Sequence, residues 1–218
     1  MVKFSARGRF FGKRAWAELP LLFIVFLSIF IPPLICRASI DNRPLIIATS
    51  TGSAPFEFVD EHNRPVGMFV DLWRLWAKKV GVEIKFQPVP WGETLALMKE
   101  GRADIHAGLF YSRKRDTYLD YGPELYISDT NIFFRRDILN IDKPDIVNGY
   151  RVGVIKGDLA VAFLHRNNPG LRLTLFADNK TLFGAVSNGT VKVFVKDTPI
   201  ALYYLGRLHL LSAFHYRK

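Results

Sequence analysis

Residues 101–123, GRADIHAGLFYSRKRDTYLDYGP, decide how the rest of this chain is read. A short apolar strand, predicted over 104–110, runs into three cations, Arg113, Lys114 and Arg115. Fixed positive charge just past the carboxyl end of a strand is where an open α/β sheet holds an anionic ligand. A planar guanidinium there grips a carboxylate through two parallel hydrogen bonds. The competing reading is the solvated first turn of a surface helix, the usual setting of a run of like charge.

The segments on either side alternate. On the amino-terminal side a strand is predicted over 45–49 and a helix over 70–80. In that helix Trp73, Trp76, Ala77 and Val80 keep the spacing of a buried face, and Gly81 stands as terminator. A strand over 83–89 and a helix over 93–100 complete that half, and 130–134 is a further apolar run. The pattern then restarts: strands over 151–155, 171–176 and 191–195, with helices over 159–166, 181–187 and 199–205. Such alternation implies βαβ units and parallel-rich sheets. Its repetition around a less regular stretch, 135–150, implies two α/β lobes with a cleft between them.

The amino terminus is of another kind. Lys3, Arg7, Arg9, Lys13 and Arg14 precede an uncharged run over 19–36, LPLLFIVFLSIFIPPLIC. A basic start followed by an apolar run marks an export signal or a membrane anchor. Eighteen residues suffice to span a bilayer, while Pro32 and Pro33 shorten a straight helix and the residues near Ala38 allow cleavage. Both outcomes stay open, and either delivers the rest of the chain to the periplasm, free or anchored to the inner membrane. The net charge of +10 divides accordingly. Residues 1–38 hold six cations and one acid, so +5 belongs to that segment and +5 to the remaining 180 residues. That remainder forms no basic stripe with interleaved aromatics, and nucleic acid is not an expected partner. The lone cysteine, Cys36, lies in the apolar run and excludes a disulfide in the exported part.

Ligands in such sheets sit off the carboxyl ends of the strands. Those ends carry Ser53 and Phe56 after the first strand, and Gly108, Phe110, Ser112 and Arg115 after the third. In the second half they carry Asp158 and Asp197. Arg115 in one lobe and Asp197 in the other suit a zwitterion, with Asp197 also placed to cap the following helix. Catalysis and cofactors have no support. His62, His106, His165, His209 and His215 lack metal-ligand spacing, and no nucleophile elbow, Walker loop or dinucleotide fingerprint occurs.

These residues resemble the extracellular solute-binding proteins of family 3, the polar amino-acid-binding type. The likeness runs from about 44 to 205 through Ala54-Pro55-Phe56-Glu57-Phe58, Val66-Gly67-Met68-Phe69-Val70-Asp71-Leu72 and Trp91. It continues through the turn at 101–104, Ser112-Arg113-Lys114-Arg115, Tyr118-Leu119-Asp120-Tyr121, Val154-Ile155-Lys156-Gly157 and Val195-Lys196-Asp197-Thr198-Pro199. The resemblance implies an α/β, two-lobed, periplasmic-binding-protein-like (type II) fold that closes on a small polar solute and has no activity of its own. It places the first lobe over 44–136, the second over 137–206 and a tail over 207–218, with the usual return to the first lobe missing, so that the first lobe reads as truncated. By position, Arg115 matches the carboxylate-binding arginine and Asp197 the ammonium-binding acid. Gly108 and Phe110 match main-chain contacts, and Phe56 or a neighbour from Ser53 on matches an aromatic wall. Asp158 departs from the family's small hydroxyl residue. Its charge opposes a ligand carboxylate while suiting a helix start.

Three roles fit that resemblance. The chain serves an ABC transporter permease, or it is the sensing input of a membrane-anchored diguanylate cyclase or histidine kinase. The third role is the non-catalytic domain of a lytic transglycosylase. Within the cation cluster, Arg115 is the residue expected to meet ligand, and Arg113 and Lys114 keep the solvated role.

Overall fold

The computed structural model describes residues 43–138 and 149–217. The apolar run over 19–36 lies outside them, and no helix among the described residues is long and apolar enough to cross a membrane. The first lobe is built on β1 (Leu45–Ser50), flanked in parallel by β5 (Ile84–Val89) and β6 (Ile105–His106). A small antiparallel meander follows β1, made of β2 (Gly52–Ser53), β3 (Glu57–Val59) and β4 (Pro65–Val66).

Helix α1 (Met68–Val80) begins with no side-chain cap. Its first amides are satisfied by main-chain carbonyls instead: Met68 N–H donates to Pro55 and Phe69 N–H to Phe56, at 3.1 and 2.8 Å. That close approach requires Gly67, whose φ is 118° and where a Cβ would lie 2.5 Å from the Phe56 oxygen. The helix buries Val70 and Ala77, with Trp73 and Trp76 half-buried in edge-to-face contact and the Trp73 indole donating to Ala107 O. Val80, expected on the buried face, is exposed in the last turn. Helix α2 (Trp91–Lys99) packs Leu97 against Ala48 and Ala103. The turn at 101–104 is tied down by Asp104, which accepts from the Ile46 amide and from both ends of the Arg43 guanidinium. Those bonds hold the Asp104 carboxyl down at about 2, Arg43 contributing most.

The second lobe carries a five-stranded sheet in the order β11-β7-β10-β8-β9. Its strands are β7 (Thr130–Arg135), β8 (Arg151–Ile155), β9 (Arg172–Phe176), β10 (Val193–Asp197) and β11 (Phe214–Arg217). Strands β10, β8 and β9 are parallel, while β7 runs antiparallel to both of its neighbours, β10 and β11. Strand alternation divides the core between two faces. Phe133, Ile155 and Phe194 pack under α5 (Asn179–Ser187) and α6 (Thr198–Arg207). Phe134, Val152, Val154, Val193 and Val195 pack on the other face with Ala160 of α4 (Leu159–Asn167).

Three features depart from the expected boundaries. Strand β7, placed in the first lobe by the 44–136 division, hydrogen-bonds to β10 and belongs to the second sheet. Part of the 207–218 tail forms β11, which pairs with β7 and sets Tyr216 against Phe133. The strand expected over 104–110 pairs only at Ile105 and His106, since beyond Ala107 the chain turns away towards Arg115.

Candidate functional site

Ser112 ends the irregular stretch after β6 and caps a single helical turn, α3 (Arg113–Asp116), its Oγ accepting from the Arg115 amide. One turn places three successive cations around the axis, so only one can face inward. Arg113 and Lys114 are exposed, whereas Arg115 is 4% exposed. Its guanidinium donates to Phe110 O at 2.9 Å in its own lobe and to Gly157 O at 3.3 Å in the opposite lobe. It lies 5.7 Å above the Trp91 ring, in cation–π range. Burial pushes its pKa down, while nearby acids including Asp158 and Asp197 pull it back up. Among the described residues it forms no ion pair.

A chain of hydrogen bonds fixes the aromatic floor beneath it. Gly108 N–H donates to His106 Nδ1 at 3.2 Å, which leaves the proton on Nε2. Nε2–H then donates to Thr94 Oγ1 at 2.9 Å, and Thr94 donates to Trp91 O at 2.7 Å. Burial holds His106 down at about 3, with the Arg115 charge adding to the effect, so the ring stays neutral. Gly108 has no room for a side chain, because a Cβ would meet the Phe69 ring at 2.5 Å.

Across the seam, Asp158 and Asp197 meet through Lys196, which is 5% exposed. Lys196 Nζ lies 2.7 Å from Asp158 Oδ2 and 3.7 Å from Asp197 Oδ2. Asp158 also caps α4, Oδ1 accepting from the Ala160 amide. Burial pushes the Asp158 carboxyl up, but the Lys196 ammonium outweighs it and the net shift is downward. Asp197 goes the other way, raised by burial in spite of Lys196. It stands at the N-terminus of α6 without capping it, its Oδ1 instead accepting from the Thr130 hydroxyl at 2.7 Å.

The remaining anticipated residues are engaged within the fold. Ser53 is buried with its hydroxyl on Ser50 Oγ. Phe56 is 7% exposed, its ring against Phe69 and Tyr126 at 5.1 Å each. Phe110 presents its carbonyl to Arg115 while its ring is partly exposed. The structure thus gathers Arg115, Gly108, Phe110 and Ser112 at one wall and Asp158 and Asp197 at the other. Sequence reasoning missed Lys196 as their bridge, the Thr94–His106 support of Trp91, and a further link across the seam. There the Gly52 carbonyl accepts from both Asn179 Nδ2 and Tyr204 Oη at 2.8 Å. Burial raises Tyr204 to about 12, so it remains a donor. Two surface cavities of about 410 and 440 Å³ border Tyr204 and Arg207, and neither is lined by Arg115, Asp158 or Asp197. Among the described residues no three His, Cys, Asp or Glu side chains converge as a metal would require.

Comparison with known proteins agrees with this architecture. The family described as bacterial extracellular solute-binding proteins, family 3, matches residues 45–198. The L-cystine-binding protein TcyJ of Escherichia coli strain K12 is 24% identical over 164 residues, 74% of this chain and 62% of that protein. The chain therefore spans about three fifths of that relative's length. The virulence sensor protein BvgS of Bordetella pertussis is 22% identical over 179 residues, 79% of this chain and 14% of that protein. A crystal structure of a histidine kinase sensor domain with similarity to periplasmic binding proteins superposes with a TM-score of 0.73. It is 24% identical and covers 80% of this chain and 76% of its own length. This likeness establishes the fold as the two-lobed, type II α/β arrangement.

Proposed function

Because the chain belongs to family 3 of the bacterial extracellular solute-binding proteins, we propose that it binds a small polar solute, an amino acid or a related carboxylate, in the periplasm. The two lobes close over the solute and carry out no chemistry on it. Closure is a shift in population between open and closed arrangements, driven by the ligand's extra contacts in the closed one. The observation that carries this reading is Arg115: a buried guanidinium at the seam, braced by one carbonyl from each lobe and by the Trp91 face, without a carboxylate of its own among the described residues. A ligand carboxylate is the group it suits, and the oriented fork supplies specificity as well as charge.

The test is a thermal-shift screen of amino acids and small organic acids against the full chain, followed by calorimetry on any that bind. Arg115→Ala is expected to weaken binding by about 2 to 5 kcal/mol, the range for removing one partner of a buried, hydrogen-bonded charge pair. Arg115→Lys keeps the charge but not the fork and is expected to fall between the two. An acid bound equally well by Arg115→Ala refutes the anchor.

The bound state is read either by an ABC transporter permease or by a signalling domain attached to the same chain. The match to BvgS supports the sensing role, together with the uncharged run over 19–36 as an anchor. Alkaline carbonate extraction of membranes distinguishes the two. A chain retained in the membrane pellet agrees with an anchored sensor, and release with the soluble periplasmic fraction agrees with a free receptor.

A further inference from the structure

An amino-acid ligand needs an acid to receive its ammonium, and at this seam the chain's own lysine already fills that place. Lys196 Nζ stands between Asp158 and Asp197, 2.7 and 3.7 Å from their Oδ2 atoms, and is almost fully enclosed. The other two carboxylate oxygens are also taken: Asp158 Oδ1 by the Ala160 amide and Asp197 Oδ1 by the Thr130 hydroxyl. All four oxygens therefore face a donor or the ammonium. A ligand ammonium would either crowd a second cation beside Lys196 or displace it, and a displaced lysine tethered to β10 would be a buried charge without its partners. Arg115, by contrast, has five N–H groups, of which its described hydrogen bonds use two.

We infer that the solute held at this cleft is a small organic acid with no amino group, because Lys196 acts as a tethered ammonium between Asp158 and Asp197 and Arg115 is the group left to receive a carboxylate. This rests on the reading of Arg115 as the carboxylate anchor. Uncharged polar substituents, a hydroxyl or a keto oxygen, are compatible with such a cleft, and a second cation is not.

The experiment compares pairs of compounds that differ by the amino group: glutarate with glutamate, 4-methylpentanoate with leucine, propionate with alanine. Binding to the full 218-residue chain in mild detergent is followed by calorimetry and by the shift in intrinsic tryptophan fluorescence melting. In every pair that binds, the compound without the amino group is expected to bind at least tenfold tighter. Lys196→Met, which releases both acids, is expected to move the ratio at least tenfold towards the amino acid. Equal affinity within a pair, or preference for the amino acid, overturns the inference, and so does a folded Lys196→Met variant with an unchanged ratio. If that variant does not fold, the wild-type ranking decides alone. Amino acids bound preferentially, with that binding lost in Arg115→Ala, overturn this inference and leave the proposed function standing. Binding of neither class to the wild-type chain overturns both.

Discussion

Glu57 is a carboxyl group 2% exposed in β3, with no hydrogen-bond partner for Oε2. Burial pushes its pKa from the ordinary 4.5 to about 8, against a smaller opposing effect of a main-chain bond from Ser50. Between those values the unfolded chain has lost the proton and the folded chain keeps it, so stability falls as pH rises. His106 works in the opposite sense. Its folded pKa of about 3 lies below the ordinary 6.5, so its contribution is present above pH 6.5 and is lost as pH falls below it. Above pH 6.5, of these two groups, Glu57 alone sets the slope. Denaturant unfolding is expected to show stability falling from pH 6.5 to 8 by up to about 1.4 kcal/mol per pH unit. Glu57→Gln, which cannot ionise, is expected to flatten that fall, and a variant with the wild-type slope would exclude Glu57 as its source. Other residues differ in how legible they were. Arg115 stood out in the sequence because its cation cluster follows a predicted strand and because it lies at the family position. Lys196 did not, because alternation along a strand sends neighbours to opposite faces and gives no reason to bring its Nζ within 3.7 Å of Asp197. The long lysine stem at the strand's end bridges that gap.

At the level of elements, the helices and strands were readable from period and punctuation, and their ends moved by a few residues. Helix α1 gained two residues at its start, because the carbonyls of Pro55 and Phe56 satisfy amides that no local side chain could cap. Gly67 makes that possible. Gly67→Ala would place its Cβ 2.5 Å from the Phe56 oxygen at a φ of 118°. The expected loss is at least the roughly 1 to 3 kcal/mol of a residue held in a sparsely populated conformation. Chemical denaturation measures it, and a loss below about 0.5 kcal/mol would mean the 55–56 connection relaxes freely. The membership of β7 and β11 was not legible. An apolar run such as 130–134 shows that a strand exists, but its partner is chosen by packing. Phe133 stacks on Phe194 with ring centres 5.0 Å apart and carries Tyr216 on its other side, which draws both strands into the second sheet.

At the scale of the whole molecule, the contacts between the two lobes among the described residues include the Phe58 ring against Tyr203 and a few polar bonds. Asn179 and Tyr204 of the second lobe both donate to the Gly52 carbonyl of the first, and Arg115 reaches the Gly157 carbonyl. Each neutral bond contributes on the order of 1 kcal/mol, enough to bias an equilibrium between open and closed lobes without locking it. The Asn179→Ala/Tyr204→Phe double variant is therefore expected to populate the open arrangement. Small-angle scattering would record a larger radius of gyration than wild type, and an identical scattering curve would show that these bonds do not hold the lobes together. The sequence by itself determined the alternation of α and β, the expectation of two lobes, and a cation cluster that follows a predicted strand. Those follow from periodicity, helix terminators and charge placement, all of which act over a few residues. Tertiary structure alone decided which sheet takes β7 and the tail, that a neutral His106 supports the Trp91 floor, and that Lys196 stands between two acids 39 residues apart in sequence, from 158 to 197. Those outcomes depend on packing between distant segments and on the charge left uncompensated once water is excluded, and no local pattern carries that information.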